Sequence, residues 1–182
     1  RNKIPFPTSG NLISFSYESA QDKLGGNISY SILNLYYEQN ISIGKNSLLK
    51  PKFIFGFEDN TTPFTEQFSL GGENLFYGMV ENELRGRQVL LTSLEFRYLF
   101  PVKLFFDTYI SARYDLGQIW ESAQDLRFKD LRHGVGLSIQ FDTPVGKASF
   151  SGGRSVIINK GLSKNSFIWG PYTFYFSIGY DL

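Results

Sequence analysis

The carboxyl-terminal nine residues, Phe174-Tyr175-Phe176-Ser177-Ile178-Gly179-Tyr180-Asp181-Leu182, carry an apolar side chain at every second position and stop on one. Successive side chains of a strand point to opposite faces, so Phe174, Phe176, Ile178, Tyr180 and Leu182 share one face, while Ser177, Gly179 and Asp181 dominate the other. A strand of that kind, ending on an apolar residue, is the form in which a transmembrane β-barrel presents its closing element. The expected solvent of the apolar face is lipid rather than a protein core.

The rest of the composition agrees. Phe 18, Tyr 11 and Trp 2 make up 17% of the 182 residues, yet the mean hydropathy is only −0.18. A water-surrounded protein needs a large core to hide such an aromatic load, whereas a barrel in lipid wears it outside and keeps its interior polar. No run approaches the roughly 18–20 apolar residues of a spanning helix. Eighteen Lys and Arg stand against 17 Asp and Glu, so no net field recruits nucleic acid. The absence of cysteine and the single histidine remove thiolate chemistry and most metal sites, and no cofactor is expected. Arg1-Asn2-Lys3-Ile4-Pro5 has no apolar signal segment, as expected of a processed chain or of the interior of a longer one.

Period-2 alternation recurs in about eight segments: 11–20, 26–42, 46–58, 87–100, 103–120, 131–143, 147–157 and 172–182. Within 26–42 the apolar parity passes from Ile28, Tyr30 and Ile32 to Leu33, Leu35 and Tyr37, which predicts a bulge near Ile32-Leu33. Each segment reaches the roughly 9–11 residues that cross a bilayer with tilt. Short turns at Phe100-Pro101-Val102 and Thr143-Pro144-Val145-Gly146 alternate with long connections at 59–86, 121–129 and 158–170, the asymmetry of an outer-membrane barrel. The fold class predicted is all-β, an antiparallel transmembrane barrel with about eight strands, forming one domain over 1–182. A soluble barrel with the faces reversed is the competing architecture; aromatic load and strand length argue against it.

Four stretches together resemble the carboxyl-terminal half of the bacterial surface antigen superfamily, the BamA/TamA-type barrels of outer-membrane assembly and secretion. They are Phe68-Ser69-Leu70-Gly71-Gly72, Ser93-Leu94-Glu95-Phe96-Arg97-Tyr98, Tyr114-Asp115-Leu116-Gly117, and Gly134-Val135-Gly136-Leu137 followed by Asp142-Thr143-Pro144-Val145-Gly146. Within that superfamily, Pro5-Phe6-Pro7-Thr8-Ser9-Gly10, Glu83-Leu84-Arg85-Gly86-Arg87-Gln88 and Ala112-Arg113-Tyr114-Asp115-Leu116-Gly117 are similar to barrels fused to patatin-like phospholipases. The hydrolase of such a fusion needs a Gly-x-Ser-x-Gly elbow, which this sequence lacks, so its chemistry would lie elsewhere. The family's barrels have about twice the strand count predicted here, which leaves three arrangements: half of a larger barrel, a small barrel closed on itself, or half-barrels that pair. Closure of a lone eight-stranded chain is slightly preferred, since eight strands suffice for a barrel filled by its own side chains.

The resemblance also implies site residues. In the family a long loop folds into the lumen, and an Arg-Gly at its tip meets an acidic site on the wall. Here the loop is 59–86, its Arg-Gly pair is Arg85-Gly86, and Leu75-Phe76-Tyr77-Gly78 stands where the family's arginine is usual. Glu95 and Asp115 are the inward carboxylates, Arg97 and Arg113 compete for them, and a mutually neutralising packing network is the plainer role for all four. Gly117, Gly134 and Gly136 make room for the loop or relieve curvature. Phe174, Phe176, Ile178, Gly179 and Leu182 match the family's terminal insertion signal. By parity His133 belongs to the apolar face, and Trp120, Trp169, Tyr172 and Tyr180 belong to a headgroup girdle. No nucleophile or metal-ligand set accompanies the carboxylates. The expected function is therefore a non-enzymatic outer-membrane barrel, a membrane anchor or a translocation and assembly module, with membrane lipids and the barrel-assembly machinery as partners. The runner-up is the barrel portion of a patatin-like phospholipase.

Overall fold

The computed structural model describes residues 6–21, 29–102, 105–158 and 167–179. Eight long strands form one antiparallel sheet: β1 (Gly10–Ala20), β2 (Tyr30–Ser42), β3 (Ser47–Glu58), β6 (Gln88–Leu99), β7 (Asp107–Trp120), β8 (Arg132–Thr143), β9 (Gly146–Ile158) and β10 (Phe167–Gly179). Each pairs with its neighbour in sequence, in the order β1-β2-β3-β6-β7-β8-β9-β10. The two remaining strands, β4 (Phe68–Leu70) and β5 (Leu84–Gly86), form a small ribbon within the long β3–β6 connection. Two 3-10 turns, Ala123–Asp125 and Phe128–Asp130, lie between β7 and β8.

The alternation read from sequence separates the two faces. Phe174, Phe176 and Ile178 are 81%, 61% and 60% exposed, and Phe15, Leu94, Phe96 and Leu137 are exposed as well. Between them Lys52, Ser93, Arg97, Ser111, Arg113, Asp115, Ser138 and Gln140 are buried on the other face. An apolar outside with a polar inside inverts the rule for soluble proteins and is what a wall in hydrocarbon requires.

Four sequence expectations need correction. Among the described residues the sheet does not close on itself, since β1 and β10 are not paired. An eight-stranded closed barrel is filled by its own side chains, but here the inner face also holds a loop with Phe76, Tyr77 and Met79, all buried. No bulge occurs at Ile32-Leu33, because β2 keeps one register against both β1 and β3. Ile32 is an inward apolar residue at an end of the sheet where Ile54, Val89 and Leu91 also line the inside. The irregularity lies in β10, between Trp169 and Tyr172, where Pro171 has no N–H to give a ladder. Consequently β10 begins at Phe167, within the connection expected at 158–170. Finally Trp120 is only 7% exposed rather than at a lipid girdle, because the returning loop covers that strand end, the Arg87 N–H donating to the Trp120 carbonyl at 2.9 Å. Tyr180 and Leu182 fall outside the described residues.

Candidate functional site: the seat of the long loop

The connection between β3 and β6 departs from the wall at Asp59, whose carboxylate accepts from the Thr61 N–H (3.0 Å) and hydroxyl (2.6 Å). That closes a local turn that the sequence Asp-Asn-Thr favours. The loop then folds over the concave face of the sheet. Its apolar side chains Leu70, Phe76 and Met79 pack on Val89, Leu91 and Ile119 of the wall into one fully buried cluster. Phe68 rests on Gly56, where any Cβ would collide with its ring.

The loop tip meets the wall through backbone, and three glycines in two adjacent strands make that approach possible. Gly134 and Gly136 on β8 and Gly153 on β9 lie under Phe76, Tyr77 and Gly78; a Cβ on Gly136 would strike the Tyr77 ring. Gly78 has φ +80° and lies on the β9 backbone at Arg154-Ser155, so both its conformation and its lack of a side chain are needed. Gly117, expected in the same role, instead makes room for β6, its would-be Cβ lying 2.6 Å from the Leu90 carbonyl.

Asp115, 0% exposed, accepts the Tyr77 N–H at 2.8 Å and the Arg113 Nε at 2.8 and 3.1 Å. The two terminal nitrogens of Arg113 donate to the carbonyls of Glu73 (2.6 Å) and Leu75 (2.8 Å). Its guanidinium also lies 4.3 Å from the Tyr77 ring centroid. From β10, next to β9 in the sheet, the Tyr175 hydroxyl accepts from the Gly78 and Met79 N–H groups (2.9 and 3.2 Å) and donates to the Met79 carbonyl (2.7 Å). The rings of Tyr77 and Tyr175 stack at 5.7 Å. Lys52 Nζ donates to the Asn74 carbonyl at 2.5 Å. Glu73 reaches β9, accepting from the hydroxyls of Ser149 and Ser151, both at 2.7 Å. Burial opposes its ionisation, but the hydroxyls of Ser151 and Ser149, together with the Lys147 charge and the Ser177 hydroxyl, hold the carboxyl below its ordinary range.

The predicted residues are thus divided. Arg113 and Asp115 form the seat. Arg85 does not: its guanidinium lies over the Phe64 ring, 5.3 Å from the centroid, because β5 carries it away from the tip. Gly86 lets β5 pass over the end of β7, a Cβ there falling 2.5 Å from the Trp120 carbonyl. Arg97 serves a different segment, donating to the Pro7 carbonyl (2.6 Å) and facing the stacked rings of Phe6 and Tyr109. Glu95 lies in the ladder between Lys50 and Arg113 and lines a polar cavity of about 370 Å³ on the concave face, together with Glu38, Lys52 and Glu73. Sequence reasoning missed Tyr77, Tyr175 and Glu73. The visible signal was Tyr175, a large aromatic on the polar face of the last strand.

An eight-stranded antiparallel sheet with an apolar outside, a charged inside and an inward-folded loop defines the wall of an outer-membrane β-barrel. The chain belongs to the Omp85 superfamily, whose domain model matches residues 1–182, and its location is the outer membrane. Among solved structures it is similar in fold to BamA from Haemophilus ducreyi lacking POTRA domains 1-3, with a TM-score of 0.70 at 18% identity, covering 96% of this chain and 40% of that one. The chain therefore spans less than half the length of the structure it matches. No curated protein matches the sequence.

Proposed function

We propose that the chain is one side of an Omp85-type barrel that assembles or translocates proteins at the outer membrane, with the 59–86 loop as its fixed internal element. The observation that carries this reading is the loop seat: a backbone held by Asp115, Arg113 and Tyr175 on a glycine floor occupies the lumen side of the wall. A barrel serving only as an anchor has no need to spend buried charges on positioning a loop. The open edges of β1 and β10 favour further strands completing the wall, since unpaired backbone groups in hydrocarbon each cost several kcal/mol, on the order of 2–7. Phe174, Phe176, Ile178, Gly179 and Leu182 act as the signal read by the barrel-assembly machinery during insertion, with membrane lipids as the surrounding partner.

The test is reconstitution in lipid vesicles. The protein is expected to accelerate folding of a urea-denatured outer-membrane barrel, read by heat-modifiable mobility, or to carry a passenger into a protease-protected space. Asp115→Ala is expected to reduce whichever activity is present. Rates equal to those of protein-free vesicles in both assays overturn the proposal.

A further inference from the structure

Arg154 is a strand-borne cation that takes no part in the loop seat and lies on the outward face. It sits on β9 in the outward row Leu94, Tyr114, Val135, Arg154, Tyr172, one residue from each of five adjacent strands. All its row partners are aromatic or aliphatic. The register shift between Trp169 and Tyr172 takes Gly170 out of the ladder, and the freed Gly170 carbonyl accepts Arg154 Nε at 2.7 Å. The guanidinium is then held beside two rings, 5.1 Å from the Trp169 centroid and 4.6 Å from that of Tyr172. Among the described residues no carboxylate pairs with it, which leaves its two terminal nitrogens as donors on the lipid side.

Below this cation the next outward row is Phe96, Ala112, Leu137, Gly152, Phe174. Two of its five side chains are reduced to a methyl and a hydrogen. The two rows together line an apolar groove of about 730 Å³, with Phe96, Ala112, Leu137, Gly152 and Phe174 along it and Arg154 among its lining residues. Its depth in the membrane follows from the strand. Gly146 lies at the short turn, the periplasmic type of connection, and Arg154 lies about 20 Å higher at ordinary strand rise and tilt. That is the outer-leaflet interface, where Trp, Tyr and Arg meet headgroups.

We propose that this is a binding site for one anionic membrane lipid: its phosphate on the terminal nitrogens of Arg154, its acyl chain in the groove over Ala112 and Gly152. The fixed fork of a guanidinium suits two phosphate oxygens, and the β10 bulge orients that fork before any lipid arrives. A girdle arginine that merely reaches for water needs neither the carbonyl clamp nor a groove beneath it.

Trp169 is a built-in reporter, since the sequence has two tryptophans and Trp120→Phe leaves it alone. The Trp120→Phe protein is reconstituted in phosphatidylcholine vesicles with brominated-chain lipids as quenchers. Brominated phosphatidylglycerol is expected to quench Trp169 at a lower mole fraction than brominated phosphatidylcholine, with inorganic phosphate unable to displace it. Arg154→Gln is expected to abolish the difference while leaving quenching by phosphatidylcholine intact. Equal quenching by the two lipids in the parent protein overturns the proposal without any variant; so does a preference that survives Arg154→Gln, or displacement by free phosphate. Quenching by phosphatidylcholine reports lipid exposure alone, so the outcome is independent of the assembly and translocation assays.

Discussion

Asp115→Ala gives the sharpest measure of the loop seat. The wild-type carboxylate is completely buried and serves two groups at once, the Arg113 guanidinium at 2.8 Å and the Tyr77 N–H at 2.8 Å. Its removal strands a buried cation, which costs about 3–5 kcal/mol when nothing compensates, and orphans an N–H, which costs about 1–3 kcal/mol. Arg113 keeps the carbonyls of Glu73 and Leu75, so the lower ends apply and the total comes to about 4 kcal/mol. The wall does not have to bear that cost, because the loop can leave its seat and let water reach Arg113. Limited proteolysis and hydrogen exchange of 71–83 in lipid vesicles are therefore expected to show the loop unprotected while the strands stay protected.

The companion measurement is Arg113→Ala and the double variant. Each single substitution leaves the other charge buried, so the double is expected to cost less than the sum of the singles by about 1–3 kcal/mol of coupling. Full protection of the loop in Asp115→Ala, or strict additivity in the cycle, refutes the reasoning that one shared carboxylate holds it.

Three further outcomes follow from the same geometry. Arg85→Ala removes only an exposed cation–π contact with Phe64, worth about 0.5–1 kcal/mol, and loop protection at 71–83 is expected to be unchanged within that amount. Ile139→Arg puts a charge on the outward face of β8, where Ile139 is exposed, and is expected to lower folding stability in lipid by about 2–4 kcal/mol if it lies at the midplane, measured by urea titration of vesicle-folded protein. Glu73 has a carboxyl held below its ordinary value of 4.5, so its stabilisation of the loop is complete above that pH and is lost as pH falls through the lower folded value. Loop protection is expected to weaken in acid below about pH 4.5, and Glu73→Gln to flatten that dependence.

Parity was enough to read most of the wall. Where a residue's two neighbours agreed with it, as in Val135, Leu137 and Ile139 against Gly134, Gly136 and Ser138, the structure puts the faces where alternation does. It misled at Ile32, because the rule that the inside is polar holds only where water fills the lumen, and the end of the sheet beneath Leu70 and Phe76 is filled by an apolar loop instead. The same cluster bears on the small closed barrel that was expected: among the described residues β1 and β10 are unpaired, and an apolar loop occupies the inner face. Alternation counts strands but carries no information about what else must fit inside the curve they make.

The seat itself was half legible, and the missing half has a physical cause. Arg113 and Asp115 stand two apart on one strand face and were both read as inward charges, but nothing in that spacing says whether each meets the loop or the other. The loop was expected to bring its own cation, Arg85; at its tip it instead brings Tyr77, an amide and a ring. A buried carboxylate needs a cation wherever it comes from, and once the tip offers only neutral groups the nearest inward arginine must supply it. Arg113 then has donors left over, which it spends on the loop carbonyls of Glu73 and Leu75. The same argument assigns Tyr175: an amide and a carbonyl at the tip, Gly78 N–H and Met79 C=O, lie over a glycine floor that has no side chain to satisfy them. A hydroxyl that both accepts and donates, on the neighbouring strand β10, meets both needs at once. A loop held this way is addressed by wall residues of β7 and β10 rather than by its own charge.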